Sequence, residues 1–299
     1  MAAPKKKRLV FLINPGAGQK AASRVKAVAP AVFPTEQWQL DFVDLRHWRE
    51  IRPLAKDAAS EGAYAVVAVG GDGTLNQVAP ALLGTRCRLG IIPAGTGNGL
   101  ARALGIPLNA EAACRVLANN RERSIDLGTM DKGRAYANIL GLGWDAWIAT
   151  RANELRWLNK ISGFLRYLAA GILCLGKVGA QAVKLELDGK KIQGEYLVVV
   201  VANSPQYGFG CTVAPDADLS DGLFDVVCMP RIGPLSFLRN VTRLFSKKPL
   251  LGAHFYRAKR IKLFSGGPQE WPLHLDGEPG GTTPATIAVK RRALRVLVP

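Results

Sequence analysis

The chain has 299 residues, with 40 Lys and Arg against 23 Asp and Glu, a formal charge of +17 and 48% hydrophobic residues. This length and apolar share fit one large or two medium globular domains, and the charge predicts attraction to nucleic acid, an acidic membrane surface or phosphates, the alternative being a basic surface needed only for solubility. A spanning helix is excluded because no uninterrupted apolar run reaches about 18 residues.

Basic residues Lys5, Lys6, Lys7 and Arg8 precede an apolar run at 9–13. That run is too short for a signal-peptide core and reads as a first strand. Strand-like segments follow at 39–43, 64–69, 88–92 and 124–127. Helix-like segments lie near 19–29, 49–60, 74–83 and 99–119. The alternation predicts a parallel, three-layered α/β domain, with ligands outside the carboxyl ends of its strands. After residue 130 the rhythm changes. Strands are expected at 135–140, 183–187, 196–202, 224–229, 258–264 and 294–298, and helices near 145–178 and 233–246. Asp188-Gly189 is a hairpin signal, so this half reads as mainly antiparallel β.

Cys87, Cys114, Cys174, Cys211 and Cys228 show no CxxC spacing, as expected of reduced thiols in a cytoplasmic protein. The three histidines form no HExxH, so zinc is unsupported. Nucleic acid is set aside as a partner, because zinc-finger spacing, RNA-binding aromatics and basic heptads are all missing. Gly171 to Lys177 fits GxxxxGK, but Val178 stands where a P-loop needs Ser or Thr.

Two glycine loops carry most of the chemistry: Gly70-Gly71-Asp72-Gly73-Thr74 and Pro93-Ala94-Gly95-Thr96-Gly97-Asn98. Each follows a buried-strand pattern and opens a helix, where free N–H groups bind phosphate. Asp72, between glycines, is a candidate Mg²⁺ ligand. Thr74 and Asn76 are candidates for capping or nucleotide contact. The competing reading of each loop is a tight turn. Asp276-Gly277-Glu278 offers a carboxylate that could take a proton from a hydroxyl nucleophile, or alternatively a plain Asp-Gly turn.

GGDGT followed by PxGTGN resembles the catalytic domain of diacylglycerol kinase-like lipid kinases, which include bacterial soluble diacylglycerol kinases and the sphingosine and ceramide kinases. The resemblance continues through Asn14 to Gly18, Ile125 to Gly128, Asn203, Tyr207 to Gly210, Pro215 to Gly222, and Asp276 to Glu278. It implies a nucleotide domain over 1–128, a β-sandwich-like lipid domain over 129–289, and a terminal segment, about 290–299, packing back on the first. The active site would lie between the domains. The activity implied is ATP- and Mg²⁺-dependent phosphorylation of a lipid hydroxyl, diacylglycerol first and a sphingoid base or other lipid alcohol second. NAD kinase, which shares GGDGT, and a non-catalytic binding protein on the same scaffold are the alternatives.

The same resemblance assigns residues. Asn14 and Gly18 belong to a first nucleotide loop, with Lys20 a phosphate partner. Gly70, Gly71, Asp72, Gly73, Thr74, Gly95, Thr96, Gly97 and Asn98 hold the nucleotide, and Asp126 joins Asp72 in a metal network. Asp218, Asp221 and the Leu223 carbonyl match a structural Mg²⁺ site. Asp276 is the general base, and Glu278 helps position metal or substrate. Gly99 departs from the acidic residue many members carry after the asparagine. The aromatic and basic segment 144–177 is a candidate contact with an anionic membrane, or else a core helix. The partner expected is a lipid in such a surface, with peripheral attachment; a homodimer is left open.

Overall fold

The computed structural model describes residues 6–14, 19–144 and 179–299; of Gln19, Lys20, Lys132 and Pro234 it describes the backbone only. The helix expected at 145–178, the membrane-contact segment (Trp144 apart), the GxxxxGK stretch and residues 15–18 of the first loop lie outside these residues. The chain divides into two compact units, Met1–Ile125 with Arg292–Pro299, and Asp126–Arg291.

In the first unit, β1 (Lys7–Ile13), α1 (Gln19–Val32), β2 (Trp38–Asp44), α2 (Ile51–Ser60), β3 (Ala65–Gly70), α3 (Asp72–Ala81) and β4 (Arg88–Pro93) alternate. The parallel sheet runs β2-β1-β3-β4, and the last residues of β18 (Ala285–Leu297) add alongside β4. Strand β3 is buried at every residue, so its sequence reads as a continuous apolar run. Each of its three valines contributes about 1.5–3 kcal/mol by leaving water. Helix α1 packs on α5 (Ala110–Ala118) and α2 on α3, as right-handed crossovers on the two faces of such a sheet require. The connections leave β1 and β3 in opposite directions, a switch point where ligands bind.

The helix expected over 99–119 is two helices, α4 (Gly99–Ala103) and α5. Gly105 has φ +70°, the left-handed exit that ends a helix, and Pro107 cannot continue one. Asn109 then restarts it by accepting from the N–H groups of Glu111 and Ala112.

The second unit is a sandwich. One antiparallel sheet has the order β14 (His254–Ala258), β13 (Phe224–Met229), β10 (Val198–Ala202), β7 (Ile139–Gly143), β16 (Pro272–Leu275), β17 (Glu278–Thr282). The other contains β9 (Lys190–Tyr196), β8 (Gln181–Leu187), β15 (Arg260–Ser265) and β18, with β5 (Glu122–Met130) and β6 (Arg134–Tyr136) beside them. Leu140, Val199, Val201 and Phe224 from the first sheet meet Val183, Leu185, Ile261 and Ile287 from the second. Val200 and Ala202 face the other way, onto Val213 and Ala217, so β10 is apolar on both faces. Helix α6 (Pro234–Phe245) sets Phe237 edge-on to Trp144.

Three strands expected to be continuous are broken where the chain changes sheets. In the run 196–202, Tyr196 ends β9 in one sheet and 198–202 form β10 in the other. The run 135–140 is β6, paired with β5, then β7, paired with β10 and β16. The run 258–264 is the end of β14 followed by β15, in different sheets. A corner frees backbone N–H groups from the ladder, and they must find other acceptors.

Candidate active site

The loops after β1, β3 and β4 are locked together by backbone. A Cβ on Gly95 would stand 2.4 Å from Gly71 Cα, and one on Gly70 2.1 Å from Thr74 Oγ1. Only glycine lets the two loops touch. Ala94 N–H donates to Gly70 O at 2.8 Å, and Asn14 Nδ2 donates to Thr74 Oγ1 at 2.8 Å. Asn98 sits at φ 50° and closes its own turn, accepting from Gly95 N–H at 3.2 Å and donating to Gly95 O at 2.8 Å. Asn14, Gly70, Gly71, Asp72, Thr74, Gly95 and Asn98 therefore come together. Thr74 is engaged with Asn14 rather than capping α3, whose N-cap is Gly71.

Asp72 opens α3, half-buried, and its Oδ1 accepts from Gly99 N–H at 2.7 Å. Burial pushes its carboxyl above the ordinary value, against the pull of N–H donors from Gly99, Asn98 and its own backbone. Gly99 is thus the residue that holds Asp72 in place. Gly73, Thr96 and Gly97 donate to no protein acceptor among the described residues. Those N–H groups, with glycines where a Cβ would fill the space, fit the phosphates of a nucleotide. A single hard carboxylate fits Mg²⁺, which keeps several waters and takes phosphate oxygens. Gly18 lies outside the described residues, as does the side chain of Lys20.

In the second unit, Asp276 and Gly277 form the two-residue turn between β16 and β17, with φ 50° and 83°. The Asp276 carboxylate accepts from the corner between β6 and β7: Ala137 N–H at 2.9 Å, Asn138 N–H at 3.1 Å and Ile139 N–H at 2.6 Å. Asp276 N–H returns to Ile139 O at 2.8 Å. Glu278 is exposed at the start of β17.

Asp126 is fully buried, and its Oδ2 accepts from Gly222 N–H at 2.7 Å while its N–H donates to Leu219 O at 2.6 Å. The structure thereby joins Asp126 to the 218–223 loop. In that loop Asp218 accepts from Ser220 N–H and Oγ, and Asp221 accepts from Leu223 N–H and pairs with Arg257. A cation held by Asp221 would compete with a guanidinium. Among the described residues no group of three His, Cys, Asp or Glu forms a metal cluster.

Sequence reasoning gave no role to Asn203, Asn138, Ser204 or His274, all buried. Asn203 Nδ2 donates to Asp126 O at 2.9 Å and Ala137 O at 2.8 Å, bridging the Asp126 strand to the corner that Asp276 caps. Ser204 Oγ meets Asn138 Oδ1 at 2.8 Å, and His274 Nδ1 accepts from Gly277 N–H at 3.2 Å. No spacing in the sequence announces these contacts; they depend on long-range strand pairing.

Comparison with known proteins gives this arrangement relatives. The diacylglycerol kinase catalytic domain profile matches residues 8–130, and the YegS C-terminal NAD kinase beta sandwich-like domain profile matches 138–298. A diacylglycerol kinase of Mycobacterium tuberculosis is 32% identical over 98% of this chain and 95% of its own length. One from Bacillus subtilis is 30% identical over 98% and 97%. A Pseudomonas aeruginosa protein described as "Probable lipid kinase YegS-like" is 32% identical over 84% and 82%. A crystal structure of a diacylglycerol kinase from Bacillus anthracis superposes with a TM-score of 0.75 over 99% and 98% of the two chains, at 20% identity, a likeness of fold alone. The chain belongs to the diacylglycerol kinase and YegS-like family of lipid kinases, and is a kinase.

Proposed function

We propose that this kinase transfers the γ-phosphoryl group of ATP, with Mg²⁺, to the free hydroxyl of diacylglycerol, giving phosphatidate at an anionic membrane surface. The observation that carries the reading is the Gly71–Gly95 contact, which gathers two phosphate-binding loops and Asp72 into one rigid group. ATP supplies the phosphoryl group, and Mg²⁺ offsets the charge on its phosphates.

The chain's residues supply position and charge. N–H groups of Gly73, Thr96 and Gly97 would orient the phosphates, and Asp72, fixed by Gly99, would hold the metal that neutralises them. Asp276 accepts the proton of the lipid hydroxyl. Its carboxylate is held in one orientation by the N–H groups of Ala137, Asn138 and Ile139. Oδ2, whose contact with Asn138 N–H is the longest at 3.3 Å, is the oxygen that can most easily turn to the hydroxyl. Asn203 acts through others, keeping the corner and Asp126 in register.

A second acceptor class, a sphingoid base or another lipid alcohol, is favoured by the relatives named only as lipid kinases and by Gly99 in place of an acidic residue. Turnover of labelled ATP against diacylglycerol, monoacylglycerol, a sphingoid base and NAD separates these. Label is expected in phosphatidate. Label in the sphingoid phosphate with none in phosphatidate would overturn the choice.

A further inference from the structure

At the amino ends of β1, β3 and β4 lies an open cavity of about 330 Å³, walled by Lys6, Lys7, Arg8, Arg86, Arg88 and Tyr64, with no acidic lining residue. Strands of six or seven residues separate it from the loops at their carboxyl ends, a span of about 20 Å. It is therefore not an extension of the nucleotide loops.

The five cations are not equivalent. Arg8 is neutralised by Asp41 at 2.5 Å and Glu61 at 2.7 Å, and Arg88 by Glu122 at 2.8 Å. Lys6, Lys7 and Arg86 pair with no carboxylate among the described residues. Aromatic faces hold the wall in shape: the Lys7 ammonium lies 4.8 Å from the Tyr64 ring and 5.1 Å from Trp38, and the Arg88 guanidinium 4.1 Å from Tyr64. Several backbone donors of the lining are already spent: Ala63, Tyr64 and Arg88 N–H groups bond Ala58, Arg8 and Tyr64 carbonyls. Burial pushes the neighbouring Cys87 thiol up to about 11, so it stays protonated and offers no thiolate to a metal.

Three unneutralised cations around a cavity of this size, with charged side chains as its principal donors, select an anion by charge and not by shape. We propose that this cavity is a second binding site, for a phosphate-bearing anion, distinct from the nucleotide loops and independent of which lipid is phosphorylated. The phosphate is either that of an anionic phospholipid headgroup or a soluble one, and the two sources are separable.

The test compares the full chain with a Lys6→Gln, Lys7→Gln, Arg86→Gln triple variant. The glutamines keep polar stems, and equal melting of the two proteins checks the fold. Two probes are used: inorganic phosphate by calorimetry, and co-sedimentation with phosphatidylcholine vesicles with or without phosphatidylglycerol. The unsubstituted chain should bind at least one anionic probe in a salt-sensitive way, and the triple variant should bind it about a hundredfold more weakly. Affinity for an ATP analogue should change by less than about twofold at a distance well beyond the Debye length. Loss with phosphate alone identifies a soluble anion; loss with phosphatidylglycerol vesicles alone identifies a headgroup. If the triple variant melts early, Arg86→Glu alone should give about a tenfold loss. Variants that bind both probes like the unsubstituted chain, or an unsubstituted chain that binds neither, would overturn the site.

Discussion

The turn at Asp188-Gly189, between β8 and β9, and the turn at Asp276-Gly277, between β16 and β17, have the same backbone. Both residues of each turn take positive φ, 47° and 91° in the first and 50° and 83° in the second, the conformation a two-residue hairpin requires. Each aspartate then does the same second job. Asp188 accepts from Lys259 and Arg260 N–H groups, where the chain passes from β14 to β15. Asp276 accepts from Ala137, Asn138 and Ile139, where it passes from β6 to β7. Each turn N–H also donates across to its corner, to Arg260 O and Ile139 O. Both aspartates cap a place where a strand leaves one sheet for the other.

The neighbourhoods differ. Asp188 is exposed, and its corner opens to water. Asp276 is half-buried beside buried Asn138, Asn203, Ser204 and His274. The same motif can therefore be wholly architectural, and chemistry at Asp276 must come from what surrounds it. This is why an Asp-Gly pair alone never argues for a catalytic base.

The largest stability effect expected from the comparison is that of Asp276→Ala. It strands three N–H groups of buried residues, and should cost about 3–6 kcal/mol by urea unfolding. Asp188→Ala should cost only about 1 kcal/mol, because water can reach its corner. Equal losses would mean burial does not distinguish the two corners. Asn203→Ala comes next, at about 2–4 kcal/mol, since it leaves the Asp126 and Ala137 carbonyls without their donor. A loss below about 0.5 kcal/mol would remove Asn203 from the framework.

Asp72 offers a contrast from the first unit, a carboxylate whose burial is a cost. Its folded pKa is raised, so the stability linked to it is full below the unfolded pKa and is lost as pH rises through the folded one. Without metal, Asp72→Asn should therefore melt above the unsubstituted chain at neutral pH, and the gap should close as pH falls below about 4. A gap of opposite sign would show the carboxylate is satisfied without a cation.

Much of this was legible in the sequence, for local reasons. The parallel strands announce themselves as short β-branched runs, and the glycine loops as their carboxyl ends. Both hairpins were readable from Asp-Gly, although only the first was placed as one with its strands. What the sequence hid was non-local. Within 135–140 only Asn138 interrupts the apolar run at the change of sheet, and within 258–264 only the adjacent Lys259 and Arg260 mark it, signals that a surface position gives as readily. The break between α4 and α5 was marked by Gly105 and Pro107 but outweighed by the apolar periodicity around them. Asn203, at no local motif with Asp126, could be connected to it only by the fold.

The claim that Asp276 adds proton transfer to a shared corner role is tested most directly by single-turnover phosphoryl transfer to diacylglycerol. Asp276→Asn and Asp188→Asn are compared at saturating ATP, at a temperature where both are folded. Asparagine keeps an acceptor oxygen for part of each corner but cannot take a proton. The Asp276 variant should be slower by about 10²–10⁴-fold, and the Asp188 variant within about twofold of the unsubstituted chain. Equal rates for the two variants would contradict the account, and leave Asp276 a cap like its counterpart.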